Sequence, residues 1–297
     1  MNSLIKKQNF FTLEVTPLHG AGTCDIIKKI ENTQLINKIS AFIITDNPLA
    51  RLKSNSIVTA LKLQEYFKKP AIATMSMRDR NKIALQSDLL GANELGINSI
   101  LALTGDSAKA SNQPNVKGVF EANSTLLLEI IKCFNAGIDY SGKPFLYPPK
   151  SISAFCVCNA ITNHQKSLRK KIAAKLRFSP LGIISQPIYS IQNAKMLKKI
   201  FDDTKSEFEE AQTELIFGFF PVTKLRTAQF LNSHVPGIQI PKEWMSKLEN
   251  AKKASEKKEF ETGMKLSKEI FTELKNFYPK LHLMGTNNFT LLDEITS

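Results

Sequence analysis

Cysteine is scarce in this 297-residue chain, tryptophan occurs once, and no uninterrupted apolar run approaches eighteen residues. Each shortage removes a class of protein. Without such a run no membrane-spanning helix is expected, and Met1 to Asn9 carries lysines but lacks the apolar stretch and small-residue cleavage site of a secretory signal. The expectation is a cytoplasmic protein with no membrane partner. The four cysteines, Cys24, Cys133, Cys156 and Cys158, are too sparse for a disulfide framework and lack the C-x-x-C spacing of a structural zinc site. The four histidines, His19, His164, His234 and His282, show no H-E-x-x-H or triad spacing, so surface or capping roles are expected for most and no metal is implied. No Gly-x-Gly-x-x-Gly follows an apolar run, which removes the usual dinucleotide fingerprint of an open doubly wound sheet.

What remains is an ordinary folding composition, 42% hydrophobic and 23% charged. Basic residues exceed acidic ones by 40 − 27 = 13. That excess would concentrate anionic ligands such as nucleotides, flavins or glutamylated cofactors near the surface. The charges are spread along the chain rather than blocked, and no aromatic stacking motif or known module accompanies them. A specific nucleic-acid partner is therefore not expected.

Short β-rich apolar runs alternate with amphipathic stretches throughout. Strands are expected at Phe10 to Val15, Ser40 to Thr45, Ala71 to Ser76, Ser99 to Leu103, Ile152 to Val157, Gly182 to Ser185, Glu214 to Phe217 and Leu281 to Met284. Helices are expected at Thr23 to Ile36, Ile57 to Phe67, Arg80 to Leu95, Glu121 to Ala136, His164 to Arg177, Ile191 to Asp202 and Lys224 to Leu231, then in one long segment from Pro241 to Asn276. Eight such units predict a single-domain (β/α)8 TIM-type barrel over residues 1–297, because closure leaves no unpaired sheet edge. Active sites of such barrels lie at the carboxyl ends of the strands.

The first polar residues after each strand should therefore share one mouth: Glu14, Thr45 with Asp46, Ser76, Thr104 with Asp106, Asn159, Gln186 and Thr223. Carboxylates, an amide and hydroxyls around a cavity suit proton transfer and recognition of a heterocycle. Alternation along Thr12-Leu13-Glu14-Val15-Thr16 points Glu14 into the barrel, where burial among phenylalanines would raise its pKa toward that of a general acid. A carboxylate paired with a cation at the barrel bottom is the other reading of Glu14. Asp106 follows a strand through Gly105, which lets backbone approach a ligand, although a capping or turn role fits it equally. Cys156 and Cys158, two apart on one strand, read as packing residues in the barrel wall.

In order along the chain stand Thr45-Asp46-Asn47-Pro48-Leu49-Ala50-Arg51, Arg78-Asp79-Arg80-Asn81, Gln86-Ser87-Asp88-Leu89-Leu90-Gly91-Ala92 and Leu101-Ala102-Leu103-Thr104-Gly105-Asp106. Ser185-Gln186-Pro187, Gly218-Phe219-Phe220-Pro221-Val222 and Val235-Pro236-Gly237-Ile238-Gln239-Ile240-Pro241 follow. Together these resemble the methylenetetrahydrofolate reductase family over nearly the whole chain. The resemblance implies a barrel that binds FAD, takes hydride from NADH or NADPH and reduces 5,10-methylenetetrahydrofolate to 5-methyltetrahydrofolate. It implies Glu14 as general acid, Asp106 as the charge that favours a 5-iminium cation and contacts pterin and flavin, and Gln186 as a pterin ligand. Thr45, Thr104, Gly105, Asp106 and Lys175 are the implied flavin contacts, with Lys175 eleven residues before Gln186 and suited to phosphate. The chain departs from the family pattern at Thr74, where a histidine is usual, at Phe155-Cys156-Val157 and at Phe178-Ser179-Pro180. A noncatalytic folate-binding subunit, or one that receives electrons from a partner protein, is the alternative. Homo-oligomers and the choice between NADH and NADPH stay open.

Overall fold

A computed structural model describes residues 1–161, 164–208, 211–235 and 237–297. Eight parallel strands close into one barrel in sequence order: β1 (Phe10–Val15), β2 (Ala41–Ile44), β3 (Ala71–Ser76), β4 (Ser99–Leu103), β5 (Ser153–Cys158), β6 (Gly182–Pro187), β7 (Glu214–Phe219) and β8 (Lys280–Leu283). Around them run α1 (Asn2–Ile5), α2 (Thr23–Glu31), α3 (Leu35–Lys38), α4 (Ser56–Phe67), α5 (Lys82–Glu94) and α6 (Ser124–Asn135). The second half adds α7 (Gln165–Leu176), α8 (Ile191–Lys205), α9 (Leu225–His234), α10 (Lys242–Ala254), α11 (Glu256–Phe277) and α12 (Phe289–Thr296). The chain is the single-domain TIM barrel that the alternation predicts.

Several boundaries differ from the sequence expectation for identifiable reasons. The long segment from Pro241 to Asn276 is two helices, because Ser255 turns extended and its side chain accepts the Lys258 N–H to cap α11. Asn81 and Asn123 cap α5 and α6 in the same way, moving both starts downstream of Arg80 and Glu121. The stretch from Thr23 to Ile36 breaks after Glu31 into α2 and α3. In the late loop, Pro236 lies outside the described residues.

Alternation along the strands sorts two cores. Phe10, Ile43, Ile72, Leu101, Phe155, Ile184 and Ile216 point inward and fill the barrel, joined from the amino-terminal end by Ile5 of α1. Residues one position away, such as Phe11, Phe42, Ala73, Cys156, Ile183 and Phe217, meet the helices outside. Lys280 ties the plug in place. Its Nζ donates to the Ile5 carbonyl and lies 3.2 Å from Glu214 Oε2, which also accepts from Tyr278. The filled lower half leaves room for a cavity only above these layers, at the carboxyl ends.

A helix glycine marks how closely the outer layer packs. Gly263 lies within α11, where alanine normally stabilises by about 1 kcal/mol. A Cβ there would stand 2.4 Å from the Thr223 Cα and 2.7 Å from the Val222 carbonyl oxygen. Gly263→Ala is therefore expected to destabilise by roughly 1–3 kcal/mol, read as a lower urea midpoint. A raised midpoint would show that the α11 contact yields freely.

Candidate active site

A cavity of ≈480 Å³ opens at the carboxyl-terminal mouth. Glu14, Thr45, Thr104, Gly105, Asp106, Lys175 and Gln186 all line it, so the implied acid, pterin and flavin positions face one space. Its apolar wall comes from Ile43, Leu101, Leu103, Val157, Ile184 and Met284. Asn159 and Thr223 are not part of the lining. Asn159 lies under Gly237, whose added Cβ would be 2.7 Å from the Asn159 Cγ, and the Thr223 backbone packs on Gly263.

Glu14 has a different setting from the one expected. Among the described residues no phenylalanine lines the cavity, since Phe10 sits a layer below and Phe11 faces the helices. Its neighbour is His282 of β8, with Nε2 3.7 Å from Glu14 Oε2. His282 Nδ1 in turn lies 2.9 Å from the Thr12 hydroxyl. The register pairing Thr12 with His282 puts all three side chains on the inward face. Glu14 is thus not the cation-paired carboxylate of the barrel bottom, a part taken by Glu214. His282, with a side chain only 5% exposed, is an inward member of the site and has no surface role. The signal was present in the sequence: in a closed barrel the last strand abuts the first.

On the β2–β4 side the charges are arranged by a compact network. Asp46 accepts from the Ser76 backbone N–H at 3.0 Å and from Arg80 Nη1 at 2.6 Å, and Arg80 Nε binds Asp88 at 2.7 Å. Burial works against the Arg80 charge, yet the Asp46 and Asp88 carboxylates outweigh it and raise the Arg80 pKa. Asp46, although at the mouth, is thereby spent on structure. Arg78, 1% exposed, makes a bidentate pair with Asp79 (2.7 and 2.6 Å) and donates to the Asn47 carbonyl at 3.0 Å. The Asp79 bond raises its pKa further, so it stays a cation.

Asp106 serves its own loop as well as the cavity. Its Oδ2 accepts the Leu49 N–H at 2.6 Å, holding a β2–α4 loop in which Asn47, Leu49 and Ala50 have φ of 43°, 55° and 54°. Gly105 bends the chain to reach this position with φ 92°. Thr104 Oγ1 accepts the Ser124 N–H at 3.1 Å and so tethers the start of α6. Lys175 donates to the Val157 carbonyl at the end of β5 and has no carboxylate partner among the described residues. The Gln186 amide has no hydrogen-bond partner there either, and the buried hydroxyls Thr45 Oγ1 and Ser76 Oγ are likewise unsatisfied.

Of the departures from the family pattern, Thr74 and Val157 line the cavity. Cys156 points into the helix layer, and Phe178 lines a separate depression with Asn2 and Gln212 at the amino-terminal end. Among the described residues no group of three His, Cys, Asp or Glu side chains could hold a metal ion. No helix there is long and apolar enough to cross a membrane.

The family model for methylenetetrahydrofolate reductase matches residues 1–297. The chain belongs to the methylenetetrahydrofolate reductase family. A solved structure, described as an uncharacterized protein from Clostridium thermocellum that binds two copies of 5-methyl-5,6,7,8-tetrahydrofolic acid, shares the fold with TM-score 0.64. It is 14% identical, and the match covers 98% of this chain and 95% of that one. An oxaloacetate acetylhydrolase matches with TM-score 0.50 at 7% identity, over 97% of this chain and 80% of its own. No curated protein matches in sequence.

The wall cysteines give a direct check on the barrel. Burial pushes the Cys156 and Cys158 thiols up to about 12, opposed only in part by the Lys175 charge, whereas Cys24 is exposed. Iodoacetamide at pH 8 should modify Cys24 first in the native protein and reach Cys156 and Cys158 only after denaturation. Rapid native labelling of either would contradict their outward, helix-covered orientation.

Proposed function

We propose that the chain reduces 5,10-methylenetetrahydrofolate to 5-methyltetrahydrofolate in this cavity, using hydride that originates from NADH or NADPH, in the cytoplasm. The observation that carries this reading is the convergence of Glu14, Asp106 and Gln186, from three separate βα units, on one space with an apolar wall. The free Gln186 amide can both donate to and accept from a pterin edge. Apolar side chains from β2, β4, β5 and β6 can stack on its ring.

The residues present also fit FAD. Thr45 Oγ1 and Ser76 Oγ are buried hydroxyls without partners among the described residues, a costly state unless a ligand completes them. Lys175 is a lining cation with no carboxylate partner among the described residues, and Thr74 leaves a small hydroxyl-bearing surface where the family has a ring. Thr45, Thr104, Gly105, Asp106 and Lys175 would hold the group, which when bound supplies hydride to the one-carbon unit.

The remaining chemistry belongs to this chain. Glu14 delivers its proton to N10 as the bond from N10 to the methylene carbon breaks, leaving a 5-iminium cation that accepts hydride at that carbon. The Thr12 hydroxyl, donating to His282 Nδ1, would leave the imidazole proton on Nε2, which faces the Glu14 carboxyl across 3.7 Å. The Asp106 carboxylate, already fixed by Leu49, supplies negative charge where the cation develops.

The C. thermocellum neighbour is described as binding 5-methyl-5,6,7,8-tetrahydrofolic acid, which supports a second reading in which this chain is a noncatalytic or partner-dependent folate-binding subunit. Anaerobic incubation with 5,10-methylenetetrahydrofolate and NADH or NADPH, with and without FAD, separates the two by mass spectrometry. The reductase is expected to form 5-methyltetrahydrofolate only with flavin, and Glu14→Gln to lower the yield by about 10²–10⁴-fold while still binding 5-methyltetrahydrofolate. Absence of product with either donor, from folded protein that binds folate, would overturn the reductase reading in favour of the subunit.

A further inference from the structure

Arg78 is the least explained group at the mouth. A guanidinium offers five N–H donors. Nε and Nη2 are taken by Asp79 and the Asn47 carbonyl, while Nη1 has no partner among the described residues, on a residue that is 1% exposed and lines the cavity. Burying a guanidinium this deeply solely to pair with Asp79, its own sequence neighbour, gains little, because desolvation offsets much of the attraction.

Beside it stand the orphaned hydroxyls. Ser76 lies two residues earlier on the same strand end, and Thr45 occupies the adjoining end of β2. Gly105 seals the group from the β4 side: a Cβ there would lie 3.0 Å from the Arg78 Cβ and 3.4 Å from Ser76 Oγ. Asp46 removes the Ser76 N–H from competition by accepting it, which leaves the hydroxyl for another acceptor. Three unspent donor groups, one permanently charged, therefore meet at a single wall of the cavity. The general acid and Gln186 lie on other strands.

We propose that Arg78, with Ser76 and Thr45, forms a donor pocket for the electron-rich N1–C2=O edge of the flavin ring, and that Arg78 makes the site bind the reduced, more negative ring more tightly than the oxidised one. This rests on the flavin reading above. A fixed positive charge beside that edge favours the form carrying the extra electrons, which raises the flavin's reduction potential. Asp79 and Asn47 act as positioning residues that hold the guanidinium plane. Asp106 supplies an opposing charge nearby, so the pair of side chains balances ring electronics against the substrate cation.

The test is titration of the purified, flavin-free full chain with FAD, followed by fluorescence quenching, together with the two-electron potential of bound flavin by dye equilibration. Ser76→Ala and Thr45→Val remove hydroxyls that bond nothing among the described residues, so each is expected to keep or raise the melting temperature while weakening FAD binding about 5–10-fold. Arg78→Lys keeps a charge but loses the fork, and is expected to weaken reduced flavin about tenfold more than oxidised, a potential lower by about 30 mV. Wild-type and variant chains with equal affinities and equal potentials would overturn the donor pocket while leaving the reductase reading intact. A folded wild-type chain that binds 5-methyltetrahydrofolate but no FAD would overturn both.

Discussion

Closure of the barrel is the constraint on which the rest depends. Hydrogen bonding of β8 to β1 brings His282 beside Thr12, residues 270 positions apart, and only that pairing gives Glu14 its polar neighbour. In an open sheet the first and last strands would be edges, and the carboxylate would face water. Closure also explains the two cores. Inward side chains fill the lower half so completely, with Ile5 added from α1, that polar groups on the same face find space only one layer higher. Position along a strand thus decides setting: Phe10 packs the barrel core, Thr12 hydrogen-bonds His282, and Glu14 reaches the cavity.

The mouth is held open by charges set against each other. Arg80 bridges Asp46 and Asp88, Arg78 grips Asp79 and the Asn47 carbonyl, and Asp106 receives Leu49. Left-handed φ values at Asn47, Leu49 and Ala50, costing of order 1–3 kcal/mol each, persist because these bonds define the loop. A loop so constrained cannot collapse into the cavity. The arrangement places one buried and one half-buried cation and several carboxylates within one rim while leaving Gln186 and the Ser76 and Thr45 hydroxyls uncommitted among the described residues.

Much of this was legible in the residues. Period-two runs alternating with amphipathic stretches gave the eight units and the barrel, and the first polar residue after each strand gave most of the lining, including Glu14, Asp106 and Gln186. Other features depend on tertiary pairing. His282 looked like a scattered histidine because its partner is the first strand, and Asp46 looked like a site residue because its bonds to Ser76 and Arg80 join separate units. Arg78 stood in a recognisable motif, but nothing local says that one nitrogen of its guanidinium is left over. The break at Ser255 escaped because lysine-rich periodicity continues across it, while a single capping hydroxyl ends one helix and starts the next.

The most direct test of the account is calorimetric titration of 5-methyltetrahydrofolate into the purified chain, beside Gln186→Leu. Saturable binding by the wild-type chain, weakened at least tenfold in a variant of unchanged thermal stability, is the expected result. A folded wild-type chain that shows no saturable binding, or a variant that binds equally well, would contradict the assignment of this mouth as a pterin site.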